Sequence, residues 1–257
     1  MFYLDQPVPR SAAYNMALDE YLFNLCHAEK QTFLRIYRWR KPSFSIGVSQ
    51  QIESVLNLQA IRADGGEYVR RITGGKAVMH DDEITYALIS SEDIFFKDHD
   101  LYRSYLLISR VLVKSLKKAG VEAQLHRGSN AGLSRSNNPC FSFPTPHEVK
   151  IRDRKVIGSA QKRSQRALLQ HGSIPFTMDY PRYARGTDTR ESVIRKAMIP
   201  LLEAADITKE ELTRYLITEF GSFLSTVPKP WNEPYEETSQ FCELQAKYRS
   251  REWNFYR

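Results

Sequence analysis

The chain has 257 residues, 42% hydrophobic and 26% charged, with a formal net charge of +7 and a pI near 9.2. No uninterrupted apolar run approaches the roughly 20 residues needed to cross a bilayer, which excludes a membrane-embedded protein. The three cysteines, Cys26, Cys140 and Cys242, lack CxxC or CxxxC spacing, which argues against a disulfide framework and against a zinc site.

The basic charge suits nucleic acid and acidic protein partners equally. No RGG tract, zinc-finger spacing or RNA-recognition aromatic signature accompanies it, so no nucleic-acid partner is expected. Met1 to Pro7 lack the basic, apolar and small-residue order of a secretory signal, so a cytoplasmic location is expected.

Ser11 is placed to cap a helix through about His27, because Tyr14, Leu18, Tyr21, Leu22 and Leu25 gather on one face. Thr32 to Trp39 has the aromatic and branched content of a strand, and Lys41-Pro42-Ser43 breaks the chain before a second strand, Phe44 to Val48. Asn57 to Ala63 reads as a short helix ended by Gly65-Gly66; Tyr68 to Ile72 resumes extended structure before Thr73-Gly74-Gly75. Ala77 to His80 and Ile84 to Ile89 read as strands around the acidic turn Asp81-Asp82-Glu83.

Leu101 to Ala119 carries the clearest helical pattern, with Tyr105, Ile108, Leu112 and Leu116 aligned and Gly120 as its stop. Arg127 to Asn138, rich in Ser, Asn and Gly, reads as a surface loop. Strand, turn and strand follow at His147 to Ile151, Arg152 to Arg154 and Lys155 to Ser159, then a sheet element at Leu168 to Ile174 and helical patterns from Glu191 to Phe223. With no internal repeat or long low-complexity tract, an α+β architecture is expected, a mixed sheet with packing helices, in one domain spanning 1–257.

Cys140 lies fifteen residues before Lys155. A thiol is nucleophilic as its thiolate, and a nearby ammonium group favours that form, so the pair outlines acyl-transfer chemistry. In Arg70-Arg71-Ile72-Thr73-Gly74-Gly75-Lys76-Ala77-Val78-Met79-His80-Asp81, glycines that permit close backbone approach to a ligand stand beside a basic pair and a polar strand end. Gly158-Ser159-Ala160-Gln161-Lys162-Arg163 and Gln170-His171-Gly172-Ser173-Ile174 follow in order.

Together these three segments resemble the biotin/lipoate protein-ligase superfamily. The likeness begins near Asn15-Met16-Ala17-Leu18-Asp19-Glu20 and resumes at Lys247 to Phe255. It implies that superfamily's catalytic-domain fold, a mainly antiparallel mixed sheet flanked by helices, with a core of about 11–225 and a short tail of about 226–257. Within the superfamily, Pro139-Cys140-Phe141 ahead of the lysine segment is similar to the cysteine-using octanoyltransferases of lipoate assembly.

That resemblance implies transfer of octanoyl from acyl carrier protein to Cys140 as a thioester. The acyl group then passes to a lysine of a lipoyl domain or glycine-cleavage H protein, with no cofactor, metal or membrane, by a monomer. Lys155 would lower the thiol pKa and orient the acyl carbonyl, and backbone donors near Gly74-Gly75 or Gly158 would stabilise the oxyanion. Arg71, Thr73, Gly74, Gly75, His80, Gly158, Ser159, Ala160, His171 and Gly172 are the expected substrate-binding positions. His80 and His171 rank below the Cys-Lys pair as proton-transfer groups, and Tyr37, Trp39, Val78 and Tyr86 are candidates to line an acyl tunnel. Basic residues from Lys150 to Arg166 would steer acidic carrier domains.

Three other readings stay open. An ATP-dependent lipoate ligase would dispense with Cys140; against it, Lys76 stands where ligases commonly have a third glycine. An amidotransferase would take octanoyl from H protein. A non-catalytic binding module would form no acyl-enzyme.

Overall fold

The computed structural model describes residues 1–96, 101–126 and 148–256. Cys140 and the loop expected over Arg127 to Asn138 therefore lie outside the described residues.

The main sheet has six strands: β1 (Phe2–Arg10), β2 (Thr32–Trp39), β6 (Glu83–Ser90), β10 (Gly158–Arg163), β11 (Leu168–Pro175) and β12 (Lys229–Pro230), in the order β10-β11-β6-β2-β1-β12. β10, β11, β6 and β2 pair antiparallel, whereas β1 runs parallel to β2 and β12. A second sheet orders β4 (Glu67–Arg70), β3 (Ser43–Ile46) and β5 (Val78–His80), and a third orders β7 (Ala123–Leu125), β8 (Val149–Ile151) and β9 (Arg154–Lys155).

Strand alternation gives the main sheet two different faces. Leu34 and Ile36 of β2, Ile84, Tyr86 and Leu88 of β6, and Leu168 and Ile174 of β11 face a core built with α4 (Leu101–Lys118) and α7 (Lys209–Phe223). Each fully buried aliphatic side chain there contributes ~1.5–3 kcal/mol. The opposite face packs Phe33, Ala87, Ile89 and Leu169 against α1 (Ala12–Glu29) and α8 (Ser239–Arg249). The same alternation turns Arg35, Tyr37, Thr85, His171 and Ser173 toward this α1 side, where they are buried.

Ser11 caps α1, its hydroxyl accepting from the Tyr14 amide at 3.3 Å, and Lys30 closes the helix in the left-handed region at φ 52°. The second sheet packs Phe44, Ile46 and Val78 against α2 (Ile52–Val55), α3 (Leu58–Ala63), α5 (Tyr180–Thr187) and α6 (Glu191–Ala197). Where the sequence reads as helical from Glu191 to Phe223, α6 and α7 are separate, with an extended stretch from Met198 to Pro200 and a single 3₁₀ turn at Leu201–Glu203 between them. The strand expected over Lys155 to Ser159 is divided: β9 ends at Lys155 and β10 begins at Gly158.

Candidate active site

β4 leads into a loop whose shape depends on Arg71. Its Nε donates to Thr73 Oγ1 at 3.1 Å, its Nη1 to Ser45 O and Ser45 Oγ at 3.0 Å, and its Nη2 to the carbonyls of Gly74 and Lys76 at 2.8 Å. The guanidinium, 3% exposed with its residue, is thus the internal frame of the Gly74-Gly75 turn. Gly75 has φ +90°, and a Cβ on it would lie 2.9 Å from Arg71 Nη2. Gly47 is tighter still, since a Cβ there would fall 2.1 Å from the Gly75 carbonyl oxygen.

Two histidines approach Arg71 through hydroxyls. Thr73 Oγ1 lies 2.7 Å from His171 Nε2, and His171 Nδ1 lies 2.8 Å from Asp19 Oδ2. Ser45 Oγ lies 2.8 Å from His80 Nε2, and His80 Nδ1 lies 2.9 Å from Glu83 Oε1. Each hydroxyl accepts from Arg71, so each has its proton to give to the histidine behind it. The partners therefore assign both imidazoles the Nδ1–H tautomer, with Nε2 as acceptor.

Asp19, on α1, also takes a 2.7 Å bond from Arg35 Nη1 and a 3.0 Å bond from the Tyr37 hydroxyl. Burial pushes its carboxyl up, but Arg35 and His171 outweigh that and hold it below the usual carboxylate range. Burial pushes His171 down more than Asp19 raises it, so the ring stays neutral in the physiological range. Glu83 accepts from Ser173 Oγ at 2.5 Å and from the Thr85 hydroxyl, which in turn receives Trp39 Nε1 at 2.7 Å. Trp39 stacks on His80, centroids 4.0 Å apart and planes 10° apart.

Above this network lies a largely apolar cleft, walled by Met16, Tyr37, Trp39 and Val78 with Arg71, His80 and His171 at its polar end. Gly158, Ser159 and Ala160 form the β10 wall, in register with Ser173, Gly172 and His171 of β11. Gly172 leaves room for two neighbours, since a Cβ there would lie 2.6 Å from the Tyr86 ring and 2.7 Å from Ser159 Oγ. Ala160 is the β10 residue nearest the turn, its Cβ 3.6 Å from one built on Gly75.

The structure thus brings together Arg71, Thr73, Gly74, Gly75, His80, Gly158, Ser159, Ala160, His171 and Gly172. Of the tunnel candidates, Tyr37, Trp39 and Val78 line the cleft, whereas Tyr86 belongs to the α4-side core and sends its hydroxyl to Ser159 Oγ at 2.8 Å. Lys155 is 2% exposed and its Nζ lies 2.5 Å from Glu148 Oε1, a buried ion pair close to the chain leading from residue 147. The sequence reading missed Asp19, Arg35, Ser45 and Glu83 as parts of the site. Their only local signal was a polar side chain on the buried side of a helix or strand, which does not name its partner.

Among solved structures, the chain shares its fold with a putative lipoate protein ligase from T. acidophilum with bound lipoic acid (TM-score 0.82, 23% identity, 99% of this chain and 98% of that one). Lipoate-protein ligase A bound with ATP is similarly close (TM-score 0.80, 21% identity, 99% of both chains). Residues 11–221 match the lipoyl protein ligase A/B catalytic domain, and the chain belongs to that family. Curated relatives include the octanoyltransferase LipM of Kyrpidia tusciae, 34% identical over 95% of each chain, and that of Clostridioides difficile, 33% identical over 94% of each.

Proposed function

We propose that this protein is an octanoyltransferase of lipoate biosynthesis, carrying octanoyl from acyl carrier protein to the lysine of a lipoyl domain or H protein through a thioester on Cys140. The observation that carries this reading is the near-full-length similarity to octanoyltransferases, joined to a cleft with an apolar body and one polar end.

In the first half-reaction the Cys140 thiolate attacks the donor thioester carbonyl, and the carrier thiolate leaves and takes up the proton. In the second, the acceptor lysine amine attacks the enzyme thioester, an amide forms, and Cys140 recovers its thiol. Amides are more stable than thioesters, so the second step runs downhill without ATP. Lys155 serves the thiol and carbonyl; its pairing with Glu148 keeps a buried ammonium compensated and oriented. Arg71 fixes the turn whose backbone borders the acyl carbonyl, and the two histidines hold the hydroxyls that accept from Arg71. The chain acts as one catalytic unit in this reading.

The test is transfer to an apo lipoyl domain. Octanoyl-acyl carrier protein without ATP should support it, and free octanoate with ATP should not. The reverse result assigns the protein to the ATP-dependent ligases.

A further inference from the structure

On the opposite side of β4 from the cleft, a second concavity lies between α3 and the C-terminal segment α8–α9, where α9 spans Arg251–Asn254. Arg62, Arg249 and Arg251 all line it, against a single carboxylate, Glu53. Surface arginines elsewhere include matched ones, such as Arg10 with Glu236 and Arg40 with Glu67, and ones unmatched among the described residues, such as Arg190 and Arg214; what distinguishes Arg62, Arg249 and Arg251 is that they share one concavity. These three have no carboxylate partner among the described residues; instead each is held by a neutral neighbour. Arg62 sits 6.0 Å from the Tyr68 ring centroid, Arg251 sits 5.1 Å from that of Phe255, and Arg249 Nη2 donates to Gln245 Oε1 at 2.8 Å.

The floor is rigid. Tyr68 and Phe255 meet edge to face at 6.1 Å, and Asn254, also in the lining, is fixed by Arg70, whose amide donates to Asn254 Oδ1 at 2.8 Å and whose Nη2 donates to Asn254 O at 2.9 Å. The Arg62 and Arg251 guanidinium groups beside these rings, and that of Arg249 on Gln245, are planar forks that bond to no carboxylate among the described residues, a shape that can bind phosphate oxygens in bidentate fashion. The aromatic floor offers a stacking surface that a flat acidic protein face would not use.

We propose that this pocket is a binding site for a small phosphate-bearing ligand, separate from the acyl-transfer cleft. Three cations around one concavity favour a multiply charged anion over a single carboxylate. The ligand would rest on the segment that anchors Arg70, one residue from Arg71.

The probe is pyrophosphate, titrated calorimetrically into the full-length protein at low and at physiological salt. Saturable binding with one site per chain is expected, weakened by about tenfold or more in an Arg249→Gln/Arg251→Gln double variant and similarly by Arg62→Gln, at about 1.4 kcal/mol per tenfold. An Arg214→Gln control, on an exposed arginine of α7 outside the pocket, should bind as the wild type does. Acyl-transfer activity of the double variant should stay within about twofold of wild type, which separates this site from the cleft. Three results would each overturn the proposal: no saturable binding, binding unchanged in the double variant, or retention through these arginines of an acidic carrier protein but not of pyrophosphate.

Discussion

Arg70 and Arg71 are neighbours on one strand end and send their guanidinium groups to opposite sides of it. Arg70 collects the carbonyls of Gly47, Val48, Gln50, Trp253 and Asn254, while Arg71 collects Ser45, Thr73, Gly74 and Lys76. One ties the C-terminal helices to the sheet and the other shapes the glycine turn. A basic pair that stands in sequence beside a glycine turn open to a ligand is, in the fold, two internal clamps.

The two clamps should fail differently. Arg70→Lys replaces a fork with a point charge among several carbonyls and is expected to lower stability by about 3 kcal/mol while folded protein keeps transferring acyl groups. Arg71→Lys removes an equally buried fork, so it should also lower stability by about 3 kcal/mol, and in the folded protein it should reduce kcat/KM by about a hundredfold, because the turn loses its frame. Thermal unfolding and transfer kinetics on both variants check this contrast.

The glycines make a sharper test. Gly74 has open space around its Cβ position, so Gly74→Ala should leave the melting temperature within a few degrees. Gly47→Ala forces a Cβ against the Gly75 carbonyl and should cost at least about 2 kcal/mol in stability along with most of the activity. Equal tolerance at both positions would contradict the packing described for the turn.

Asp19 and His171 give the fold a pH dependence whose sign is fixed. Asp19 is held below its ordinary value, so its contribution is present above the unfolded carboxylate range and is lost as pH falls through the folded value. His171 is also depressed, so the unfolded chain takes up its proton first as pH falls below about 6.5. Both terms make stability decline on acidification, His171 starting near neutrality and Asp19 only below about pH 4. Melting temperature against pH should show the decline, and His171→Gln should flatten the part just below pH 6.5 while leaving the more acidic limb.

Glu148 and Lys155 are a buried pair at 2.5 Å. Glu148→Gln removes the carboxylate of this buried pair, and breaking a buried pair typically costs about 3–5 kcal/mol. The paired variant Glu148→Gln/Lys155→Met should recover a good part of the stability and none of the activity, as unfolding and transfer assays would show.

Much of this was legible in the sequence because period and composition agreed. Thr32 to Trp39, Ile84 to Ile89 and Leu168 to Ile174 are strands where expected, and Ser11 caps the first helix. β1 escaped because Pro7 and Pro9 interrupt a half-exposed strand, covered on one side by β12 only at Phe2 and Tyr3, whose hydrogen bonds go to distant β2 and β12. α8 and α9 escaped because their apolar residues are few and aromatic and make sense only against α1 and β4. At the site, the glycine turn, His80 and His171 were readable from local motifs. The connections through Asp19, Arg35 and Glu83 were not, since bonds spanning 16, 90 and 152 residues leave no local trace.

The central claim is a covalent octanoyl-enzyme on Cys140. Intact mass of the purified protein, incubated with octanoyl-acyl carrier protein and no ATP, should rise by one octanoyl group, and the adduct should vanish as added apo lipoyl domain gains it. Cys140→Ser should show no thioester that turns over on this timescale. A wild-type protein that transfers octanoyl with no adduct at any time, or a Cys140→Ser variant that transfers at the wild-type rate, would contradict the account.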